Sequence, residues 1–406
     1  MRRVVVTGMG IVSSIGNSVS EVLTSLKESQ SGITHSPEME AHGFKSQVHG
    51  KPTLDVTEVL DKKTRRFMGE GAAWNYIAMQ EAIEDAGLEK HEVSHEMTGL
   101  VMGSGGPSTE TIVAAAQKTM DTGSPRKIGP TSVPKAMSST NSATLAVPFE
   151  IKGLNYSISS ACATSVHCVG HAYEQVAMGK QDVIFAGGGE DLNWTLSNMF
   201  DAMGAMSTKF NDIPHMASRA YDTARDGFVI AGGAATLVVE ALDRALARGA
   251  RIVGEITGYA ANSDGYDMVA PSGEGAVRCM RQAMATATRD IDYVNTHGTS
   301  TPVGDQRETN ALREVFGDKI PFFGSTKSLT GHSLGAVGAQ ELIYSLLMMK
   351  EKFLAASAHI DEIDPEFADL PILRDRKDNF DVGAFLSNSF GFGGTNACMV
   401  MQKYEG

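Results

Sequence analysis

Residues 155–179, NYSISSACATSVHCVGHAYEQVAMG, contain the pattern on which the fold prediction depends. Residues 156–159 are typical of a short strand, and Ser159 or Ser160 can cap a helix. Apolar residues then recur at helical spacing until Gly179 stops the pattern. A strand that passes through a short turn into an apolar helix is a building unit of α/β folds.

Similar units alternate along nearly the whole chain on both sides of this segment. The strand-like runs are RRVVVTG, GLVMG, NYSIS, DVIFAGG and ATLVVE before residue 250, and RIVGEITGY, IDYVNTHG, PFFGST, GAFLSNS and ACMVMQ after it. Helical patterns separate most of them. The alternation predicts an α/β fold with substantially parallel sheets and with helices as outer layers.

The pattern restarts near residue 251. The run ALDRALARGA predicts an amphipathic helix that ends at Gly249, and RIVGEITGYAANSDG then begins the second part much as RRVVVTGMGIVSSIG begins the first. A second strand, turn and apolar helix follow in PFFGSTKSLTGHSLGAVGAQELIYSLLMM. At 406 residues the chain is long enough for two units, and we predict two related halves, residues 1–250 and 251–406.

Composition limits the classes of function. Hydrophobic residues make up 42% and charged residues 20%, as in globular enzymes, and no apolar run approaches 18 residues. Glycines interrupt the apolar N-terminal run, which argues against a signal peptide. Four cysteines without a pairing framework predict a reducing compartment, so we expect a cytoplasmic protein. The net charge of −13 argues against nucleic-acid binding.

Two catalytic motifs occur in unsuitable contexts. Residues 331–335, GHSLG, match the serine-hydrolase turn, but polar TKSLT separates Ser333 from the preceding strand. The only later histidine is His359, with no aspartate between the two. Residues 91–95, HEVSH, match a zinc signature but lie in a short polar segment without a long helix, which predicts a surface loop.

A third match is a partial dinucleotide fingerprint in residues 8–13, GMGIVS. Ser13 stands where the third glycine belongs, and no second strand ending in an acid follows at the required distance. We interpret these residues as a tight turn.

Cys162 follows the strand of residues 156–159 and is predicted to lie in the first turn of the next helix. The helix dipole and free N–H groups at that place favour a reactive thiolate, although a lone cysteine near a helix start is more often a packing residue. Cys168, six residues on, is predicted to pack in the core. His297 and His332 also follow strands, so we expect them to meet Cys162 at one sheet edge, beside a glycine-rich loop at residues 390–396.

Four segments carry a family resemblance. SISSACATS, NTHGTSTPVGD, TKSLTGHSLGAVGA and SNSFGFGGTNA resemble, in this order, the signature segments of the β-ketoacyl-ACP synthases. GKQDVIFAGGGE and MVAPSGEGAVRCM extend the likeness, which covers essentially the whole chain and is strongest to the synthase I group. It implies a thiolase fold, with two similar halves in a five-layered αβαβα architecture, and a homodimer. The implied reaction is the decarboxylating condensation of a fatty acyl thioester with malonyl-ACP.

The resemblance also implies catalytic roles. Cys162 matches the acyl-accepting nucleophile, and His297 and His332 match the pair that promotes decarboxylation of the malonyl group. Phe392 matches the gating residue whose N–H joins that of Cys162 in the oxyanion hole. By this match Ser333 is not the nucleophile.

Further positions match supporting residues. Lys327 corresponds to the lysine beside the second histidine, Thr299 and Thr301 to residues that face the pantetheine arm, and Glu341 to a structural glutamate. The partner is acyl carrier protein, which is acidic in this family, and no cofactor or metal is implied. Six basic residues are candidates for docking it: Lys62, Lys63, Arg65, Arg66, Arg126 and Lys127.

Two related functions remain as alternatives. A biosynthetic thiolase shares the fold but uses a second cysteine near a C-terminal glycine loop, and Cys398 follows GGTN inside a strand-like run that suits this role poorly. A non-catalytic partner resembling a chain-length factor would lack the nucleophile, whereas Cys162 is present.

Overall fold

The computed structural model describes residues 1–406 and contains 15 β-strands and 16 α-helices. The strands are β1 Val4–Val12, β2 Thr34–His35, β3 Val48–Gly50, β4 Thr98–Gly103, β5 Asn155–Tyr156, β6 Val183–Glu190, β7 Ile230–Ala231, β8 Gly233–Ala241, β9 Gly254–Ser263, β10 Tyr293–Asn295, β11 Phe322–Gly324, β12 Phe353–Leu354, β13 Lys377–Asp378, β14 Ala384–Gly391 and β15 Thr395–Gln402.

The helices are α1 Val19–Glu28, α2 Pro37–Ala41, α3 Val56–Val59, α4 Lys62–Arg65, α5 Glu70–Ala86, α6 Lys90–Val93, α7 Thr109–Thr122, α8 Ser132–Ala136, α9 Thr140–Ala146, α10 Thr164–Ala177, α11 Trp194–Met203, α12 Leu242–Ala247, α13 Glu274–Met284, α14 Pro302–Phe316, α15 Lys327–Thr330 and α16 Val337–Glu351. None of them combines the length and the apolar composition needed to cross a bilayer.

Ten strands form the main sheet, in the order β11-β10-β14-β15-β9-β1-β8-β6-β4-β5. At its centre β1 and β9 pair over three residues only, with Val4 opposite Ile256 and Val6 opposite Gly254. Five strands lie on each side of this join. If the five strands of each set are numbered along the chain and listed from the outer edge of the sheet to the join, both sets have the order third, second, fourth, fifth, first. The same topology therefore occurs twice in the chain.

The directions of the strands differ from the prediction of substantially parallel sheets. Within the main sheet, only β4 with β5 and β6, and β10 with β11 and β14, pair in parallel. The remaining neighbours in this sheet are antiparallel. The reason is plain for β14 and β15, because the connection of residues 392–394 is too short for a parallel crossover.

Two buried helices form the middle layer. Helix α10 contacts β4, β6 and β8 of the first set and also β9 and β15 of the second, while α16 contacts β8 and β14. Helix α5 covers β1, β6 and β8 from outside, and α13, backed by α14, covers β9 and β15. Helix, sheet, helix pair, sheet and helix thus follow one another, which confirms the five-layered arrangement of two similar halves.

The glycines of residues 8–13 do not form the predicted turn, because Gly8 and Gly10 lie within β1. A Cβ on Gly8 would lie 2.4 Å from the carbonyl oxygen of Ala82, and one on Gly10 would lie 1.9 Å from that of Ala78. Both oxygens belong to α5. The glycines therefore allow α5 to approach the strand closely, and this packing, rather than a turn or a nucleotide site, explains them.

Candidate active site

A cavity of about 310 Å³ opens where the predicted loops of the two halves meet. Cys162 comes from the first half, and His297, His332 and Phe392 come from the second. The sulfur of Cys162 and the nearest ring nitrogens of the two histidines all lie within 4.8 Å of one another. The structure thus brings the predicted nucleophile and both imidazoles to one wall.

Cys162 projects from a tight turn. Ala161 has a φ of 49°, in the left-handed region, and α10 begins only at Thr164. The Thr164 hydroxyl accepts a hydrogen bond from the Ser160 N–H (2.8 Å) and donates one to the Ala161 carbonyl oxygen (2.7 Å). The prediction that Cys162 lies in the first helical turn is wrong by two residues, because the Thr164 hydroxyl holds a separate turn before the helix and neither serine caps α10.

Desolvation is the main influence on the Cys162 thiol. Burial raises its pKa to about 12, although the positive charge of Lys327 acts in the opposite direction. Desolvation thus opposes the thiolate that the helix start was expected to favour, and the reactive thiolate stays a prediction. A neighbouring base that accepts the thiol proton would offset this penalty.

The environment of the two imidazoles favours their neutral form and leaves one nitrogen of each ring free to form a hydrogen bond. Their rings are nearly perpendicular, with centroids 5.3 Å apart, and the Nδ1 atoms of both His297 and His332 lack a hydrogen-bond partner. Burial, assisted by the charge of Lys327, lowers the pKa of each ring well below 6.5. A neutral imidazole has one N–H and one free nitrogen, so each ring can either donate or accept a hydrogen bond.

Glu308, on α14, holds the loop of His297. Its carboxylate accepts hydrogen bonds from the N–H groups of His297 (2.9 Å) and Gly298 (2.8 Å), and from the Asn388 side chain (3.0 Å). Sequence reasoning missed Glu308, since an acid in a polar-looking helix carries no signal of burial.

The His332 segment is held through its backbone. The N–H of His332 donates to the Val229 carbonyl oxygen (2.7 Å), and its own carbonyl accepts from the Ala231 N–H (3.0 Å). Ser333 is also satisfied, because its hydroxyl donates to Gln340 Oε1 at 2.6 Å, and it is buried away from the cavity. This environment does not suit a nucleophile, in agreement with the interpretation of the GHSLG motif.

Lys327 and Glu341 form a buried ion pair behind the cavity wall. Their side chains are 1% and 0% exposed, and Nζ lies 2.5 Å from Oε1. Burial raises the pKa of Glu341 to about 7, against the effect of the lysine. Neither residue lines the cavity. Lys327 therefore acts on Cys162, His297 and His332 through its electric field.

Two backbone donors on the cavity wall are free. Neither the N–H of Cys162 nor that of Phe392 donates a hydrogen bond within the protein. Gly391 packs against the first of them, since a Cβ at that position would lie 3.2 Å from the Cys162 nitrogen. The chain continues through Phe392 to Gly393 and Gly394, which have φ values of 85° and 72°. The fourth predicted loop is therefore present, but it is a short hairpin.

The other predicted residues fall into two groups. The hydroxyls of Thr299 and Thr301 lie 3.0 Å apart on the cavity wall, just before α14. None of the six basic residues lines the cavity: Lys62, Lys63 and Arg65 are on α4, Arg66 follows it, and Arg126 and Lys127 are in a 3-10 turn. All are exposed except Arg65, which is half-buried.

Further polar contacts near the site were not predicted. The Ser160 hydroxyl lies 2.6 Å from His167 Nδ1, which braces the turn of Cys162 from within α10. The buried Glu190 accepts hydrogen bonds from the N–H groups of Gly105 (2.6 Å) and Gly335 (2.8 Å), which joins the loop after β4 to the loop after His332. The acid in GGGE at the end of β6 is the sequence signal that could have indicated Glu190.

One group of side chains has the donors needed to hold a metal ion. Cys162, His297 and His332 offer sulfur and nitrogen, which suit zinc, and a metal there would occupy the sulfur of the predicted nucleophile.

Comparison with known proteins identifies the family. The models of the β-ketoacyl synthase N-terminal and C-terminal domains match residues 1–245 and 253–361. The chain is 56% identical to 3-oxoacyl-[acyl-carrier-protein] synthase 1 of Haemophilus influenzae, over 100% of both chains.

A β-ketoacyl synthase from Burkholderia phymatum STM815 superimposes with a TM-score of 0.93 at 35% identity, again over 100% of both chains. A ketosynthase solved in complex with a type II polyketide acyl-carrier protein gives a TM-score of 0.91 at 26% identity over 100% of both chains. With its paired imidazoles facing one cysteine between two similar halves, this chain belongs to the β-ketoacyl synthase family and has the family's thiolase-like fold.

Proposed function

We propose that the chain is a 3-oxoacyl-[acyl-carrier-protein] synthase, which condenses a fatty acyl thioester with malonyl-ACP and releases CO2 during fatty acid elongation. The observation that carries the proposal is the group of Cys162 and two neutral imidazoles, within 4.8 Å of one another, in one cavity. The name of the relative from Haemophilus influenzae supports the same reaction.

In the first half-reaction Cys162 takes the acyl group. Its sulfur attacks the thioester carbon of acyl-ACP, a neighbouring imidazole accepts the thiol proton, and that proton then passes to the departing carrier thiol. The oxygen of the tetrahedral intermediate accepts hydrogen bonds from the free N–H groups of Cys162 and Phe392. The acyl chain is then held as a thioester on Cys162.

In the second half-reaction malonyl-ACP loses CO2. The electron pair of the broken carbon–carbon bond forms an enolate, and N–H groups of His297 and His332 donate to its oxygen. The enolate carbon attacks the acyl thioester on Cys162, which forms the new carbon–carbon bond. The sulfur of Cys162 leaves with the electron pair and takes up a proton from solvent, and the 3-oxoacyl chain remains on the carrier protein.

The supporting residues complete the proposal. The hydroxyls of Thr299 and Thr301 hydrogen-bond to the pantetheine arm, and Lys327 supplies positive potential at the cavity while Glu341 holds it in place. An acidic carrier protein docks on the six basic residues: Lys62, Lys63, Arg65, Arg66, Arg126 and Lys127. The carrier-protein complex of the similar polyketide ketosynthase supports a partner of this kind.

We also propose that the chain forms a homodimer through the β5 edge of the main sheet. This edge is short and unpaired, and α7, which has no buried residue, exposes Ile112, Val113 and Met120. Val133 and Val147 are 74% and 79% exposed. An open sheet edge with apolar side chains on neighbouring helices is typical of an interface. Sedimentation analysis tests the proposal, since a monomer at micromolar concentration would contradict it.

We also propose that the chain consists of two related halves, residues 1–250 and 251–406. The boundary falls between α12 and β9, and the repeated strand order supports the division. All four cysteines are free, which supports a reducing compartment such as the cytoplasm.

The two alternatives fit the site less well. A thiolase needs a second cysteine in the cavity, whereas Cys398 is buried on β15, donates to Asn388 Oδ1 at 3.2 Å and does not line the cavity. A non-catalytic chain-length partner has no use for Cys162 or for two unpaired imidazoles.

Acyl transfer to Cys162 tests the proposed function. After incubation with acyl-ACP, mass spectrometry of the wild-type protein should show one acyl adduct on Cys162, and the Cys162→Ala variant should show none and should not condense malonyl-ACP. Circular dichroism checks that the variant is folded. An adduct on Ser333 or Cys168, or normal condensation by the variant, would overturn the assignment.

A further inference from the structure

The cavity wall contains one unpaired cation at its exposed edge. Arg307 is the only lysine or arginine among the lining residues. Its side chain is exposed, and its guanidinium makes no hydrogen bond within the protein and has no carboxylate within 4.0 Å. An arginine without a protein partner beside a cavity retains all five of its N–H donors for a ligand.

The acidic neighbours of the same wall are engaged elsewhere. Asp267 accepts hydrogen bonds from the N–H groups of Val269 (2.9 Å) and Ala270 (2.8 Å). Asp264 accepts one from the Ser272 N–H at 2.7 Å. These contacts shape the loop that faces Arg307, and neither carboxylate pairs with it. The guanidinium is therefore left without an intramolecular counterion.

The position of Arg307 relative to the threonines fits an elongated ligand. Thr301 precedes α14, and Thr301, Gly304 and Arg307 all line the cavity. Six residues of helix correspond to roughly 9 Å along the wall. A Cβ on Gly304 would lie 2.4 Å from Thr301 Oγ1, so the glycine keeps the wall open between the hydroxyls and the guanidinium.

We propose that Arg307 binds the phosphodiester of the 4′-phosphopantetheine arm at the point where the arm leaves the cavity. The inference rests on the proposed function and adds a subsite to it. With the thioester at Cys162, the amides of the arm pass Thr299 and Thr301, and the phosphate follows at the outer end. A guanidinium matches two phosphate oxygens with two parallel N–H donors.

The expected effect is moderate because Arg307 is exposed. Solvent screens such a pair, so loss of the guanidinium should reduce the advantage of a phosphorylated substrate by about three- to tenfold. A buried pair would give a larger effect, and a purely structural residue would give none that depends on the phosphate.

The experiment compares two substrates that differ only in this group, acyl-4′-phosphopantetheine and acyl-pantetheine. The ratio of their kcat/KM values for acylation of Cys162 is measured for the wild type, Arg307→Gln, Arg307→Lys and Arg281→Gln. Arg281 is an exposed arginine that pairs with Glu314 and does not line the cavity, so it is the matched control.

We expect the wild-type ratio to favour the phosphorylated substrate, the Arg307→Gln ratio to fall towards one, and Arg307→Lys to retain part of the preference. Arg281→Gln should keep the wild-type ratio. An unchanged ratio in Arg307→Gln, including equal loss on both substrates, would overturn the phosphate subsite, as would a wild-type ratio of one. Failure of the wild type to acylate Cys162 at all would instead contradict the proposed function.

Discussion

Alkylation of Cys162 by a neutral reagent should become faster by about tenfold for each unit of pH between 7 and 10. Burial raises the pKa of this thiol to about 12. With a pKa five units above neutral, about one molecule in 10⁵ is a thiolate at pH 7, and this fraction rises tenfold per pH unit below the pKa. The alkylation rate rises with it because the thiolate is the nucleophile.

The assay measures second-order rate constants for iodoacetamide at each pH by peptide mass spectrometry. Cys168, Cys279 and Cys398 are buried and should remain unmodified throughout, which shows that the protein has stayed folded. The Cys162→Ala variant verifies that the labelled peptide is assigned correctly.

A rate constant that is already high at pH 7 and then constant to pH 10 would refute the reasoning. It would mean that the pKa of Cys162 lies below 7 in the free enzyme, so that the Lys327 charge and the N–H groups of the turn outweigh desolvation. The imidazole would then have no thiol proton to accept, and that step of the proposed acylation would have to be abandoned.

Three further outcomes are expected. Replacing either His297 or His332 with Ala should slow CO2 release from malonyl-ACP by about 10²- to 10³-fold. Acylation of Cys162 should continue, because the other imidazole can accept the thiol proton. Loss of acylation in both folded variants would instead indicate a protease-type Cys–His pair. Lys327→Ala should lower the free energy of unfolding in urea by about 3 to 5 kcal/mol, because it leaves the buried charge of Glu341 unpaired. Lys327→Met combined with Glu341→Leu should lower it less, because both charges are removed. Equal decreases in the free energy of unfolding would contradict this account. Lys63→Glu should raise the KM for acyl-ACP at low salt relative to that for an acyl-pantetheine, and an equal change for both substrates would count against docking at α4.

The ten strands of the main sheet were predictable because each carries a local signal, whereas the five short strands outside it were not predicted. All ten apolar or β-branched runs chosen from the sequence are strands of the main sheet, from the long β1 to the two-residue β5. Their directions were less predictable, since direction depends on the length and path of the connections. The Gly8 and Gly10 positions were misread as a turn because a glycine signal does not distinguish a bend from the close approach of a helix.

The candidate site was predictable in its residue types and less so in its energetics. Cys162, His297 and His332 each follow a strand, and the structure brings them to one wall. The start of α10 was misplaced because several residues of SSACATS can cap a helix, and only the contacts of Thr164 decide between them. The raised pKa of Cys162 depends on atoms from both halves, so no local pattern could indicate it.

The position of the site between the halves has a consequence for the timing of synthesis. Cys162 leaves the ribosome in the first half, whereas both imidazoles, the Phe392 N–H and the helix α16 that shares the middle layer are translated later. In the proposed mechanism, a nascent chain that ends near residue 250 has the cysteine without its proton acceptor and with only one of the two oxyanion donors. The proposed reactive centre is complete only when translation is almost finished, so we expect a growing or truncated polypeptide not to capture acyl groups that it could never pass on.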